Sequence, residues 1–367
     1  MRHSIIVLIL FAQFAFAQAE QRANHLSKGV NLSLWFSQRA SDKYTTQHLE
    51  TFTTAEDIAL IKRMGFDHVR FPIEPDQLWT WGKAEVLKPD FLAQMDRVVD
   101  AALKNALAVV IDIHPSHEFK EKLQTQDQHV EEFRDFWRSL AKHYSTRDPN
   151  LVFFETLNES EFKDRFRWMG VQQRLVAAIR QGAPQHTIIV SGANWSAPDE
   201  LLSLEPLGDR NIVYNFHFYE PHIFTHQGAS WAGHLPHYLS KIPYPSSPEA
   251  VAKVADQVPS QPEQQELVRY GLNHWNAARI ESEFHAIAQW AKQNGVRVTV
   301  NEFGVFRDYA DAADRARWIR DVRTTAEKYG FGWTIWDYQT NFGVVQKQNG
   351  KTVVDPITAE ALGVKIQ

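Results

Sequence analysis

The chain has 367 residues, with 39 Lys and Arg against 44 Asp and Glu and a formal charge of −5; so mild a charge on so long a chain gives no footing for a nucleic-acid partner. It contains no cysteine, which excludes disulfides, thiolate catalysis and cysteine-ligated zinc. Twelve Trp and twenty-three Phe exceed what a core needs and point to aromatic surfaces for a ligand, although packing claims most of them.

The first elements read as a leader. Arg2 and His3 precede an apolar run from Ile5 to Phe16, and Ala15-Phe16-Ala17 is a small-x-small cleavage site before Gln18, the pattern of a secretory signal peptide over 1–17. The run is too short for a membrane span of about 20 residues, and Gln13 interrupts it. Cleavage after Ala17 takes the formal charge from −5 to −6, because it removes Arg2 and no acidic residue. The expectation is a secreted or periplasmic monomer, free of the membrane once cleaved, with 18–367 as one catalytic domain.

Downstream, short β-rich runs recur at Gly29–Trp35, His68–Glu74, Leu107–His114, Leu151–Glu159, Thr187–Gly192, Ile212–Tyr219, Arg297–Gly304 and Gly332–Tyr338. Most are continuously apolar, as strands buried on both faces of a parallel sheet must be. Helical stripes lie between them. Thr54 caps one carrying Ile58, Ile61 and Met64, which Gly65 ends. Others run through Phe91, Met95, Val98 and Ala102; Phe133, Trp137, Leu140 and Tyr144; Trp168, Val171, Leu175 and Ile179; and Ile280, Phe284 and Ile287. Eight strand–helix alternations predict an α/β fold, a (β/α)8 TIM barrel. The segment Glu220–Asn276 is too long for an ordinary connection and reads as a functional loop after strand six. Near the end, Asn349-Gly350 between Gly343–Gln346 and Lys351–Val354 signals a hairpin.

Reactive groups of a parallel barrel sit where its strands end. The last residues of these runs are unusually polar: Asn31, Arg70, His114, Asn158, Glu159, His217, Tyr219, Glu302 and Trp336. Glu159 and Glu302 fall on strands four and seven, which face each other across a barrel mouth. Two facing carboxylates are what glycoside hydrolysis requires: one protonates the leaving oxygen, and the other attacks the anomeric carbon or activates water. An arginine beside one of them would keep it ionised, while the other must hold a proton near neutral pH.

These positions resemble the cellulase family of glycoside hydrolases, family five, over essentially the whole mature chain. The matching motifs are Val69-Arg70-Phe71-Pro72, Ile111-Asp112-Ile113-His114, Asn158-Glu159, His217-Phe218-Tyr219, Glu302-Phe303-Gly304 and Trp336. The resemblance implies a retaining mechanism without metal or cofactor, in which Glu159 is the acid/base and Glu302 the nucleophile. It further implies that Arg70 and Tyr219 hydrogen-bond Glu302, that Asn158 reaches the sugar 2-hydroxyl, and that His114, His217 and Trp336 line the cleavage subsite. Asn31 and Trp35 are expected to support substrate. One departure is Ser160, where the family usually has proline after the acid/base, which leaves the shape of that loop open.

The expected substrate is a β-linked polysaccharide or oligosaccharide, first a β-1,4-glucan cut internally. β-Mannan, xyloglucan and β-1,3-glucan are the alternatives within the family, and a non-catalytic glycan-binding barrel or a metal-dependent hydrolase are those outside it. The histidines His217, His222, His226, His234 and His237 suggest a metal, but no His-Glu-x-x-His spacing supports one. Asn31, Asn158 and Asn194 stand in glycosylation triplets at strand ends, where a glycan would block the mouth, so these are chance matches.

Overall fold

The computed structural model describes residues 19–366 apart from Ala84, 256–257 and 259–260; the leader expected over 1–17 lies outside the described residues. Eight parallel strands close into a barrel in chain order: β1 (Lys28–Asn31), β2 (His68–Ile73), β3 (Ala108–Ile113), β4 (Val152–Glu155), β5 (Thr187–Ser191), β6 (Ile212–Phe218), β7 (Arg297–Phe303) and β8 (Gly332–Ile335). Each coincides with one of the eight runs read from sequence. Among the described residues no helix is long and apolar enough to cross a membrane.

The helices form for local reasons. Thr54 and Asp57 make a reciprocal capping box at the start of Ala55–Met64, and Gly65, at φ 99°, ends that helix in a left-handed turn. Its stripe of Ile58, Ile61 and Met64 is buried, as are Phe91, Met95, Val98 and Ala102 of Pro89–Lys104. Such amphipathic faces cover the outside of the sheet, so strands such as β2 and β3 are buried along their whole length.

Inside the barrel, side chains two residues apart form ascending columns. At the lower level Ala108, Val110, Phe153, Ile189 and Val213 pack with Ala23 and Leu26 of the N-terminal segment, which closes that end. One step up, the inward residues become polar: Asp112, Glu155 and Asn215, all buried. The interior therefore runs from an apolar plug to an ionic upper layer, where the strands end.

Strand lengths differ from expectation most at three of these ends, the first being β1, which stops at Asn31, short of Trp35. β4 leaves the ladder at Glu155 and β8 at Ile335, short of Glu159 and Tyr338. Beyond β4 the chain still bonds its neighbours, Thr156 N–H to Ile189 O at 3.1 Å and Asn158 N–H to Ile113 O at 2.8 Å, before Glu159 at φ +43°. Beyond β8 the Trp336–Asp337 peptide is cis. Gly304 is required where these two ends meet, since a Cβ there would lie 2.3 Å from Trp336 O.

The segment after β6 is long, as expected, but it is not structureless. It holds short helices at His222–Thr225, His234–Tyr238, Pro248–Ala252 and Gln261–Leu272. Its Phe224, Ile242, Tyr244, Leu267 and Tyr270 belong to the same buried cluster as the barrel's outer face. The hairpin also forms, from β9 (Val345–Gln348) and β10 (Lys351–Val354). Asn349 and Gly350 both have positive φ, 51° and 76°, as a tight two-residue turn demands.

Candidate active site

The upper layer is organised by Arg70. This fully buried guanidinium donates through Nε and Nη2 to the two oxygens of Glu155, at 2.9 and 2.8 Å. Through Nη1 it donates to Glu302 Oε1 at 2.6 Å and to Asn31 Oδ1 at 3.0 Å. Nη2 also reaches Asn158 Oδ1 at 2.9 Å and lies 3.1 Å from Asp112. Burial pulls the guanidinium down, but Asp112, Glu155 and Glu302 outweigh it and hold Arg70 above its ordinary range. Three carboxylates around one planar cation leave it charged and fixed in orientation.

Glu302 owes its place to a register shift. Phe216 pairs with Val300, but the next residue, His217, pairs with Glu302, so β7 carries one extra residue at its end. That shift sets Glu302 beside His217 and under Tyr219, whose hydroxyl donates to Glu302 Oε2 at 2.9 Å. Both Glu302 oxygens thus have a donor.

Glu159 approaches from the opposite side, partly exposed, with His217 Nδ1 2.9 Å from its Oε1. One oxygen of each glutamate and a ring nitrogen of His217 lie within 4.8 Å of one another. Such a group could also take a divalent ion, but the cation Arg70 on one Glu302 oxygen and the Tyr219 hydroxyl on the other oppose it. Burial raises Glu159 against the pull of Lys120, His114 and Arg70. Burial raises Glu302 as well, against His217 and Arg70. The donors decide between them: two hydrogen bonds, one from a guanidinium, favour the anion at Glu302, while Glu159 is the better proton holder. Burial lowers His217 to about 4, so the imidazole between them is neutral.

His114 is oriented through both nitrogens, Nδ1 to Asp112 at 3.0 Å and Nε2 accepting from Asn158 Nδ2 at 3.2 Å. Its ring lies nearly parallel to Trp336, 5.6 Å between centroids and 20° between planes. His114, Asn158, Glu159, His217, Tyr219, Glu302 and Trp336 all line one cleft of about 1170 Å³. Asn31 stands below it, fully buried, holding Arg70 from beneath and donating to Asn301 O at 3.0 Å.

Trp35 is a correction. It is only 2% exposed, its Nε1 donates to Leu49 O at 2.9 Å, and its ring packs on Phe36 and Phe71; it is outside the cleft lining. The aromatic side chains offered to solvent in the cleft are instead Trp195 and Trp231, 49% and 64% exposed. Of the histidines after β6, His222 and His226 stack at 4.0 Å on the cleft wall. Sequence reasoning missed Glu155 and Asp112 as members of the Arg70 cluster. The signal was available, since each is a lone carboxylate in the inward phase of an apolar strand.

The chain matches the family model described as cellulase (glycosyl hydrolase family 5) over residues 27–342. Endoglucanase C of Acetivibrio thermocellus is 31% identical over 317 residues, 85% of this chain and 90% of that protein. Endoglucanase 3 of Fibrobacter succinogenes is 28% identical over 91% of this chain and 52% of its own length. Among solved structures, Thermotoga maritima Cel5A in complex with cellobiose superposes with a TM-score of 0.75 at 26% identity, covering 93% of this chain and 97% of that one. The same enzyme in complex with mannotriose gives 0.73 at 26% identity, covering 94% of this chain and 99% of that one. With a closed eight-stranded barrel, two facing glutamates at its mouth and this match along its length, the chain belongs to the cellulase family, glycosyl hydrolase family 5, and is a glycoside hydrolase acting on O-glycosyl bonds.

Proposed function

We propose that this glycosidase cuts internal β-1,4 bonds of a glucan with retention of configuration, Glu302 acting as nucleophile and Glu159 as acid/base. The supporting observation is the approach of the two carboxylates to within 4.8 Å. A retaining pair stands about 5–5.5 Å apart, whereas an inverting pair needs roughly 6.5–9.5 Å to admit water. In the first step the Glu302 anion, held by Arg70 and Tyr219, attacks the anomeric carbon while Glu159 gives its proton to the leaving oxygen. In the second, Glu159, now an anion, takes a proton from water, which displaces Glu302 and restores the β configuration. Asn158 keeps one amide hydrogen for the sugar 2-hydroxyl after donating the other to His114.

Proton NMR of the first-formed sugar, recorded before mutarotation, tests the mechanism. A β signal is expected; an initial α signal would overturn retention and the nucleophile role of Glu302. For the substrate, the endoglucanase names of the relatives, with an endo-β-1,4-glucanase among the similar solved structures, favour β-1,4-glucan, and the mannotriose complex of a relative favours β-mannan as the second reading. A screen on barley glucan, glucomannan, xyloglucan and laminarin separates them, and product lengths separate internal from terminal cutting. The leader read over 1–17 carries the proposal further, to a secreted enzyme.

A further inference from the structure

A buried lysine on the acid side of the cleft has no part in the scheme above. Lys120, in the helix His117–Thr125 that follows β3, is 4% exposed and lines the cleft. Its Nζ lies 3.3 Å from Glu161 Oε1, and Glu161, itself 6% exposed at the side chain, is two residues past Glu159. The same Nζ sits 5.2 Å from the centre of the Trp195 ring. Trp195 in turn donates its backbone N–H to Ser160 O at 2.9 Å, from within three successive residues of left-handed φ, Asn194 to Ser196. Lysine, glutamate and tryptophan so tie the loops after β3, β4 and β5 into one unit around a residue whose own φ is +43°.

We infer that Lys120 is a positioning residue for Glu159: through Glu161 and Trp195 it anchors the loop that bears the acid, and it holds a cation on that acid's side of the cleft. The inference rests on the acid/base assignment of Glu159. A buried lysine paired with a single carboxylate is costly in desolvation and needs a return. The return here is electrostatic. Burial alone would leave Glu159 reluctant to ionise, yet the second half of the reaction needs its anion as a base. Lys120 opposes burial at Glu159 more strongly than any other charge around it, ahead of His114 and Arg70, while Glu161 acts with burial. The remaining neighbours are His217 from β6, Tyr219 just beyond it, Glu302 from β7 and Asp112 from β3. Lys120 itself faces Glu74 across the cleft wall, and His117 shares Glu161 with it.

The two members of the pair should move the acid in opposite directions, which a purely structural tie would not do. Loss of the cation in Lys120→Met favours the protonated acid, so the basic limb of kcat/KM on a neutral cello-oligosaccharide should rise by about 0.5–1 pH unit. Loss of the anion in Glu161→Gln should lower that limb, and Lys120→Arg should restore it. Should Lys120→Met fail to fold, Glu161→Gln and Lys120→Arg carry the test. Limbs that stay put, or shift the same way in Lys120→Met and Glu161→Gln, would overturn the inference. Azide rescue of Glu159→Ala is run alongside: its failure sinks the acid/base reading itself, whereas rescue with unmoved limbs sinks only the role of Lys120.

Discussion

Arg70 and Glu155 form a two-pronged ion pair sealed beneath the mouth of the barrel, each glutamate oxygen taking one guanidinium nitrogen at 2.8–2.9 Å. Asn301 adds a third bond to Glu155 at 2.7 Å. Removing one partner leaves the other charged and unpaired in a dry interior, which typically costs about 3–5 kcal/mol. Glu155→Ala is therefore expected to lose stability of that order, read as a lower urea midpoint. Activity should fall further than stability, because Arg70 then lacks the partner that aims Nη1 at Glu302. A variant of wild-type midpoint and rate would show that Glu155 is dispensable.

The two glutamates should separate by substrate. Glu302→Ala is expected to abolish turnover on every glycoside, since among the described residues Glu302 alone accepts from both Arg70 and Tyr219. Glu159→Ala should keep measurable activity on aryl glycosides with good leaving groups, which need little protonation, and azide should increase it by attacking the glycosyl intermediate. Equal losses on good and poor leaving groups, with no azide effect, would count against the assignment.

Tyr219 supplies a pH signature. Burial keeps its phenol far above the ordinary range, so it donates at any working pH. A donor to an ionised carboxylate lowers that carboxyl's pKa, and its loss raises it. Tyr219→Phe should then move the acidic limb of kcat/KM to higher pH, with the basic limb unchanged. A limb that moves to lower pH, or not at all, would contradict the bond to the Glu302 anion.

Two tryptophans that look alike in sequence should behave oppositely. Trp35→Ala empties a packed site and is expected to cost about 3–5 kcal/mol of stability, with KM little changed in the folded fraction. Trp195→Ala removes a half-exposed ring and its contact with Lys120, so the loss of stability should be well below that of Trp35→Ala, while KM on oligosaccharides rises about tenfold. Denaturation midpoints and initial rates on both variants check the contrast.

That pair also shows where sequence stops being informative. Arg70, His114, Asn158, Glu159, His217, Tyr219, Glu302 and Trp336 were legible because each is polar or aromatic at the end of an apolar run, and strand ends of a barrel converge by construction. Trp35 follows the same pattern, yet its side chain turns outward onto Phe36 and Phe71. Four residues past the ladder of β1, pattern no longer fixes direction. Strand ends one, four and eight were overestimated for a related reason: Leu32, Leu157 and Trp336 keep the apolar character of their runs although the ladders have already ended. Glu155 went unnoticed because the run read from sequence continued past it to Glu159 although β4 ends there, and the Lys120–Glu161 pair because two loops far apart in sequence must meet before it exists.

The extra residue in β7 has a consequence for what this scaffold tolerates. Because His217 pairs with Glu302 rather than with Asn301, two successive side chains reach the interior, Asn301 toward Glu155 and Glu302 toward Tyr219. A regular strand would present only one of them and turn the other to the helices. The site is thus written in residue count as well as residue type. Deleting a single position between Val300 and Phe303 would leave every named side chain in the sequence but one, and would still rotate the survivor's neighbours by half a turn. A change of length in a loop can leave this register untouched, whereas a change of count inside β7 re-aims both side chains at once.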